Sequence, residues 1–298
     1  MEKIGYWLKE IRAPFLTLSV VLVFLGTSVA AAEGTFTMWR AGLALLGLVL
    51  LHVSVNLLNE YSDYQTAIDF HTSPTPFSGG SGMLVAGKIA PAAAQTVGIA
   101  CLASGAIIGG VFLWLTNIKL LPILIIGAFS VYFYTDLLAR HALGEVFAGL
   151  GLGFLPILGA SFIQTGHYSV PAFAAALPAG ILTFNLLLIN EFPDLDADLK
   201  GGRKNLLIAL GENTGGKIYT LALVAMYLWI IFAAISGIIP IYCLIALGSV
   251  PIAWKPMKWA WTHVRDREMM TPALGANVVT NLATQTLLGM GFLASIFI

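Results

Sequence analysis

Charge is what this chain has least of. It carries 15 basic and 15 acidic residues in 298, or 10% of the sequence, while 58% is hydrophobic and the mean hydropathy is +0.87. A soluble domain, which needs about 25% charged residues, is thereby excluded, and the chain falls among polytopic membrane proteins. The formal net charge is zero, and no basic stripe runs outside the loops, which excludes nucleic acid as a partner. Cysteine is nearly absent too. Cys101 and Cys243 each lie inside an apolar run without a spacing partner, so both read as packing residues rather than disulfide or metal ligands. His71, His141, His167 and His263 show no ligand spacing and are assigned no task.

What the chain does have is a succession of long apolar runs. The first, 14–32, follows Lys3, Lys9 and Arg12 and ends in small residues, but it exceeds a signal-peptide core and is followed by many equals, so it reads as a retained span. Further spans are expected at 39–58, 92–115, 120–134, 144–163, 170–189, 218–236, 241–254 and 274–298, long enough to cross at about 1.5 Å per residue. The expected architecture is an all-α integral membrane protein, one domain over residues 1–298, with nine transmembrane helices. Nine crossings put Lys3, Lys9, Arg12, Lys88, Arg140, Lys200, Arg203, Lys204, Lys217, Lys255, Lys258, Arg265 and Arg267 on the N-terminal side, against Arg40 and Lys119 on the other. That asymmetry predicts a cytoplasmic N-terminus.

The scarce acids are gathered in two places. Asn59-Glu60-Tyr61-Ser62-Asp63 ends the second run, and the same pattern returns as Asn190-Glu191-Phe192-Pro193-Asp194 at the end of the sixth. With Asp69, Asp196 and Asp198, these stretches hold seven of the fifteen acidic residues. Four crossings separate them, so both open on the cytoplasmic face. The repeat suggests two four-helix halves in one orientation plus a ninth helix, an arrangement that often places a site at the repeat interface.

At about 100° per residue, His52, Asn56, Asn59 and Asp63 share one face of the second span, which should look into the bundle or a water-filled cavity. Asn190, Asp194 and Asp198 stand at i, i+4 and i+8, one carboxylate above another. Asp69 joins the cluster only if the helix breaks after Asp63. Pro193 should loosen the second motif, and Gly201-Gly202 is a plausible helix stop. Carboxylates so close repel one another unless a hard cation intervenes, and Mg2+ takes a few carboxylate oxygens while leaving the rest of its shell to water or phosphate. Lys88, Arg140, Arg203 and Lys204 lie on the same side, and acids with metal plus nearby bases are what a diphosphate needs. On the ninth span, Asn277, Asn281 and Gln285 form a polar stripe best suited to interhelical hydrogen bonds.

These residues resemble the UbiA family of intramembrane prenyltransferases. Asn59-x-x-x-Asp63-x-x-x-x-x-Asp69 resembles the first aspartate motif of its menaquinone-type branch, and Asn190-x-x-x-Asp194-x-x-x-Asp198 followed by Gly-Arg-Lys-Asn-Leu resembles the second. Tyr132-Phe133-Tyr134 with Arg140, Leu143-Gly144-Glu145, and Arg12-Ala13-Pro14-Phe15 are similar to its middle region and opening helix. The resemblance implies nine helices around a central cavity and Mg2+-dependent transfer of a polyprenyl group from polyprenyl diphosphate to an aromatic acceptor, 1,4-dihydroxy-2-naphthoate in menaquinone biosynthesis. It implies that Asp63, Asp69, Asp194 and Asp198 hold the metal and that Asn59 and Asn190 orient it or the diphosphate. Arg140, Arg203 and Lys204 would take phosphate oxygens, with Tyr132 or Tyr134 facing the allylic cation or the acceptor. One departure stands out: where many relatives carry a basic residue after the first motif, this chain has Thr75-Pro76-Phe77-Ser78-Gly79-Gly80, which leaves Lys88 or backbone N–H groups to contact the diphosphate. Other acceptors, an archaeal-type glycerol-phosphate lipid or a tetrapyrrole, are the alternatives within this chemistry. A secondary transporter is the reading of a different class, although its carboxylates usually sit near the bilayer midplane rather than at one face. The expected location is the cell membrane, with the active site toward the cytoplasm.

Overall fold

The computed structural model of the chain describes residues 2–72, 75–135 and 137–297. Ser73 and Pro74, in the breaker-rich loop after the first motif, lie outside the described residues. Among those described there are helices and turns but no strand. A short helix α1 (Glu2–Glu10) leads into α2 (Ala13–Ala32), α3 (Met38–Gln65), α4 (Pro91–Leu115), α5 (Leu121–Phe133), α6 (Gly144–Thr165) and α7 (Val170–Asn190). Two short helices, α8 (Leu195–Lys200) and α9 (Leu206–Leu210), precede α10 (Glu212–Ile235). The chain closes with a 3-10 segment, Ile241–Ser249, then α11 (Val250–Thr262) and α12 (Arg267–Ala294).

Six of these, α2, α3, α4, α6, α7 and α10, are long and apolar enough to cross a membrane. Helix α5 is apolar but shorter, and α12, as long as α3, is made less apolar by its buried Asn277, Thr280, Asn281, Thr284 and Gln285. Several helices begin as their sequences direct. Prolines sit in the first turns of α4, α5 and α7, where the missing N–H costs nothing. Ser169 caps α7 by accepting from the Ala172 N–H, and Asp266 caps α12 by accepting from Glu268 and Met269.

Helix α7 is the hub, packed against α2, α6, α10 and α12. Its N-terminal half presents Ala172, Ala174, Ala175, Ala176 and Ala179 to the core, small residues that let neighbouring backbones come close. Across from it, α6 carries a π-helical turn at Leu150–Phe154, with Leu152 off helical geometry. The carbonyl this frees is not left bare in an apolar setting, since Thr183 Oγ1 of α7 donates to Leu152 O at 2.8 Å. Here α6 touches α7 so closely that a Cβ on Gly153 would lie 2.5 Å from Ala179 O.

The polar stripe of α12 is only partly satisfied, with Asn277 Nδ2, Asn281 Nδ2 and Gln285 Oε1 buried without a hydrogen-bond partner. Tyr219 Oη donates to Asn277 Oδ1 at 2.7 Å, tying α10 to α12, and Gln285 Nε2 donates to Asn281 Oδ1 at 2.6 Å. Cys243 is buried and Cys101 half-buried, and both are free thiols.

Replacing Gly153 by Ala should force α6 from α7 and destabilise the protein by about 1–3 kcal/mol, as overpacking does. Gly110→Ala, at a site where a Cβ meets nothing within 4 Å, should leave stability unchanged. Thermal unfolding of the detergent-solubilised variants, read side by side, checks both.

Candidate active site

The first motif occupies the last two turns of α3, so Asn59, Glu60 and Asp63 are held on rigid helix rather than on a loop. The helix then breaks as Asp69 requires. Thr66 folds its hydroxyl back on Ser62 O at 2.9 Å, Ala67 takes a left-handed φ of 59°, and a 3-10 turn, Ile68–Phe70, returns Asp69 to the cavity. The second motif differs from expectation. Helix α7 stops at Asn190, residues 191–194 form a turn containing Pro193, and Asp194 is the first residue outside the new helix α8. The continuous stack of Asn190, Asp194 and Asp198 is therefore replaced by a bend.

Two adjacent glycines complete the second motif. Gly201 lies so close to Ile68 that an added Cβ would fall 2.0 Å from Ile68 Cγ1, which docks α8 on the turn bearing Asp69. Gly202, at φ 75°, reverses the chain so that the Arg203 N–H bonds Asp198 O at 2.9 Å. The Arg203 guanidinium thereby re-enters the cavity. Its Nη2 pairs with Asp63 Oδ1 in a very short contact, and its Nη1 reaches Asp198 Oδ1 at 3.4 Å. One cation thus joins carboxylates 135 positions apart in sequence. Asn59 Nδ2 donates to the other Asp63 oxygen at 2.6 Å, and Asn205 Nδ2 to Asp198 Oδ2 at 3.0 Å.

A cavity of about 100 Å3 lies between the motifs, lined by Asp63, Asp69, Asp194, Asp198, Asn59 and Asn190 together with Arg203 and Tyr134. It continues into a mostly apolar chamber of about 190 Å3 that includes His52, Asn56 and Leu51. A third space of about 180 Å3 shares Leu48, Leu51, Gly127 and Gly151 with the second and runs on to Ala44 and Phe112. Asp63 to Ala44 is nineteen residues of α3, or about 28 Å at helical rise, close to the thickness of a hydrocarbon core. The face of α3 predicted to look inward does so. Asn56 Nδ2 donates to Ile11 O at 2.9 Å, and His52 Nδ1 lies 2.9 Å from Ser19 Oγ.

The basic residues are sorted differently than their spacing suggested. Only Arg203 of the four reaches the cavity. Lys88, Arg140 and Lys204 are exposed, and Lys88 Nζ sits over the Tyr6 ring instead, 5.6 Å from its centroid. Arg140 and Lys204 contribute backbone, because the segments that carry them pair through Ala142 N to Lys204 O and Lys204 N to Ala139 O. Tyr132 is 59% exposed on the outside of α5, whereas Tyr134 lines both chambers. Arg12 is the cation that sequence reasoning missed. It lines both chambers, and its Nε and Nη2 donate to Glu60 Oε1 at 2.9 and 2.6 Å. Its signals in the sequence were the resemblance of Arg12-Ala13-Pro14-Phe15 to the family's opening helix and a place ahead of the first span, where a basic residue also serves as an anchor.

Among the described residues no three His, Cys, Asp or Glu side chains come together as a ready-made metal cage. The donor set nonetheless fits Mg2+, which binds through one or two carboxylates plus substrate phosphates rather than through an all-protein cage. Asp69 Oδ2, Asp194 Oδ1 and Asn190 Oδ1 are buried without a hydrogen-bond partner, hard oxygens left free in the cavity wall. Burial, then the charges of Glu60 and Asp63, push the Asp69 carboxyl up from 3.8 to about 8. Burial, then Asp198, push Asp194 up to about 7. A nearby divalent charge would reverse both shifts.

Residues 19–278 match the UbiA prenyltransferase family. The chain is 28% identical to a 1,4-dihydroxy-2-naphthoate octaprenyltransferase of Bacillus subtilis (strain 168), over 99% of this chain and 95% of that protein. Among solved structures, that of a digeranylgeranylglyceryl phosphate synthase superposes with a TM-score of 0.70 at 19% identity, covering 99% of this chain and 100% of the other. A UbiA homologue from Archaeoglobus fulgidus, bound to DMAPP and Mg2+, superposes with a TM-score of 0.60 at 14% identity over 95% and 98% of the two chains.

Two carboxyls that hold protons to about 7 and about 8 when folded, but only to 3.8 when solvated, bind more protons in the folded than in the unfolded state. Stability of the metal-free protein should therefore fall as pH rises from about 4 to about 8. Added Mg2+ should recover it most above about pH 8, where neither carboxyl holds a proton. Its affinity should weaken about tenfold per unit between about 8 and 7, and about a hundredfold per unit below that, where both must lose one. Melting temperature against pH, with chelator and with Mg2+, measures both.

Proposed function

Because the chain belongs to the UbiA prenyltransferase family, we propose that it transfers a polyprenyl group from polyprenyl diphosphate to an aromatic acceptor, 1,4-dihydroxy-2-naphthoate, giving a menaquinone precursor. The observation that carries this reading is a polar chamber joined end-on to an apolar channel. Both aspartate motifs line the first, and the second runs along α3 for most of a bilayer's thickness. A diphosphate head with a long hydrocarbon tail matches those two halves. The acceptor is favoured by the B. subtilis relative, whose name specifies 1,4-dihydroxy-2-naphthoate. A carrier is disfavoured by the family and by acids set at one end of the bundle.

Asp69 and Asp194, through their unpartnered oxygens, would hold Mg2+ together with Asp63 and Asp198, and Arg203 would be shared with the phosphate. Bound Mg2+ supplies positive charge to the diphosphate oxygens and so stabilises the leaving group. Arg203 is suited to the same oxygens by its planar fork of donors, and Arg12 stands beside it. Asn59 holds Asp63 in place, and Asn190 orients the head group. As the C1–O bond breaks, its electron pair leaves with the diphosphate, and C1 takes a new pair from a ring carbon of the acceptor. That carbon then sheds its hydrogen as a proton, or its carboxylate as CO2, to restore the aromatic ring. Tyr134 lines both chambers at their junction, where its ring meets the allylic cation.

The same reading sets nine crossings in two four-helix halves plus α12, in the cell membrane with the N-terminus and the site toward the cytoplasm. It is supported by the Lys/Arg asymmetry of the loops. Single cysteines placed at the exposed Lys88 or Lys204 should react with an impermeant thiol reagent only from the cytoplasmic side.

Purified protein given labelled polyprenyl diphosphate, Mg2+ and a panel of acceptors should release diphosphate and prenylate the naphthoate. Chelation should abolish both. Asp63→Ala, Asp194→Ala and Arg203→Ala should each cost about 10^2-fold or more in rate, the scale for losing a group that stabilises developing charge. Prenylation of a glycerol-phosphate lipid or tetrapyrrole alone would replace the acceptor, and no diphosphate release with any acceptor would overturn the reaction class.

A further inference from the structure

The stretch Thr75-Pro76-Phe77-Ser78-Gly79-Gly80 in the loop after the first motif bears no basic side chain, and its most prominent group is an aromatic ring. Thr75 and Ser78 close a tight turn. The Thr75 N–H donates to Ser78 O at 3.0 Å, and Thr75 Oγ1 accepts from the Phe77 and Ser78 N–H groups at 3.1 and 3.0 Å. The segment that follows is fastened to both motifs. The Gly79 N–H donates to Asp194 Oδ2 at 3.1 Å, and the Ser81 N–H donates to the Glu60 carboxylate at 2.9–3.0 Å. Ser81 Oγ also donates to Glu10 Oε2 at 2.5 Å, which ties the loop to α1.

Phe77 is therefore held in a defined place rather than trailing in solvent. Its ring rests on α12 at Gly275, where an added Cβ would lie 3.2 Å from Phe77 Cζ. Six residues line the polar and the apolar chambers alike: Arg12, Asn59, Phe77, Tyr134, Leu187 and Asn190. These form the neck between head group and tail, and Phe77 and Tyr134 are its aromatic members. On the proposed function, the carbon bonded to the diphosphate must lie at this neck.

We propose that Phe77 closes the neck over the reacting allylic carbon, keeping water from it and turning a ring toward the positive charge, so that the carbon is captured by the acceptor and not hydrolysed. The inference rests on the prenyl-transfer reading of the site. Once C1–O has broken and the electron pair has gone to the diphosphate, C1 has two sources of a new pair. A ring carbon of the acceptor gives the prenylated product once that carbon has lost a proton or CO2, whereas a water oxygen gives polyprenol and releases a proton. A ring that displaces water and presents its negative face to the cation favours the first. The Thr75–Gly80 stretch thus carries a group acting on the carbon rather than on the phosphate.

The readout is the ratio of polyprenol to prenylated acceptor from labelled polyprenyl diphosphate with Mg2+ and naphthoate, which loss of folded protein alone does not alter. Phe77→Ala should raise that ratio about tenfold, the scale of one cation–π contact. Phe77→Tyr should restore it. Phe77→Leu, which plugs the neck without a π face, should fall between the two, and Gly275→Ala, which pushes the ring from its seat, should shift it in the direction of Phe77→Ala. Should Phe77→Ala fail to fold, the Leu and Gly275 variants carry the test. If the wild type consumes no polyprenyl diphosphate, the proposed function falls. If it prenylates the acceptor and the folded variants keep its ratio, the role of Phe77 falls alone.

Discussion

A guanidinium shared between two carboxylates governs this structure. Asp63 ends α3 and Asp198 lies in α8, and each is nearly out of contact with solvent. An isolated carboxylate there is costly, and removing the partner of a buried charge typically costs about 3–5 kcal/mol. Arg203 holds both, so the ends of two helices far apart in sequence stay together. Holding Arg203 in turn accounts for much of the surrounding local structure. Gly202 reverses the chain, the Leu206 N–H is received by the buried Glu145 carboxylate at 2.6 Å, and the 139–142 segment pairs with Lys204.

The same pairing leaves the site poised rather than satisfied. Asp63 and Asp198 are matched by Arg203, whereas Asp69 Oδ2 and Asp194 Oδ1 are buried without a hydrogen-bond partner. A fully paired cluster would rigidify the bundle and offer nothing to a ligand. A wholly unpaired one would repel itself apart. Strain of this kind, kept in place by a well-packed scaffold, is what a site awaiting a metal–phosphate pair requires. The scaffold is α7 with its alanine face and the close-packed glycines of α6, which fix the chambers' walls without filling them.

Much of this was legible in advance because membrane sequences are constrained strongly. Helices α2 to α7 begin within one residue of the expected spans, since an apolar stretch in lipid must satisfy its backbone internally. By contrast, α10 and α12 begin six and seven residues early, and the run 241–254 divides between a 3-10 segment and α11. The two aspartate motifs were visible because acids are too rare here to cluster without cause. The inward face of α3 followed from helical periodicity, and so did the break before Asp69. Less legible was which bases serve the acids. Lys88, Arg140, Arg203 and Lys204 look alike in a sequence, yet three are exposed and one is not, and Arg12 passed for an anchor. The bend at Pro193 was foreseen only as a loosened turn, not as the end of α7.

Composition and periodicity therefore determined the class of molecule, the helices and the two acidic ends, because each depends on the local chain and its solvent. Only the tertiary structure decided that Arg203 bridges Asp63 to Asp198, that Arg12 binds Glu60, and that Phe77 stands at the neck. Those contacts join residues 140, 48 and 198 positions apart (Arg203 to Asp63, Arg12 to Glu60, and Phe77 to Gly275). They are set by how helices pack and where glycines let the chain turn or close in, and no local pattern in the sequence records either.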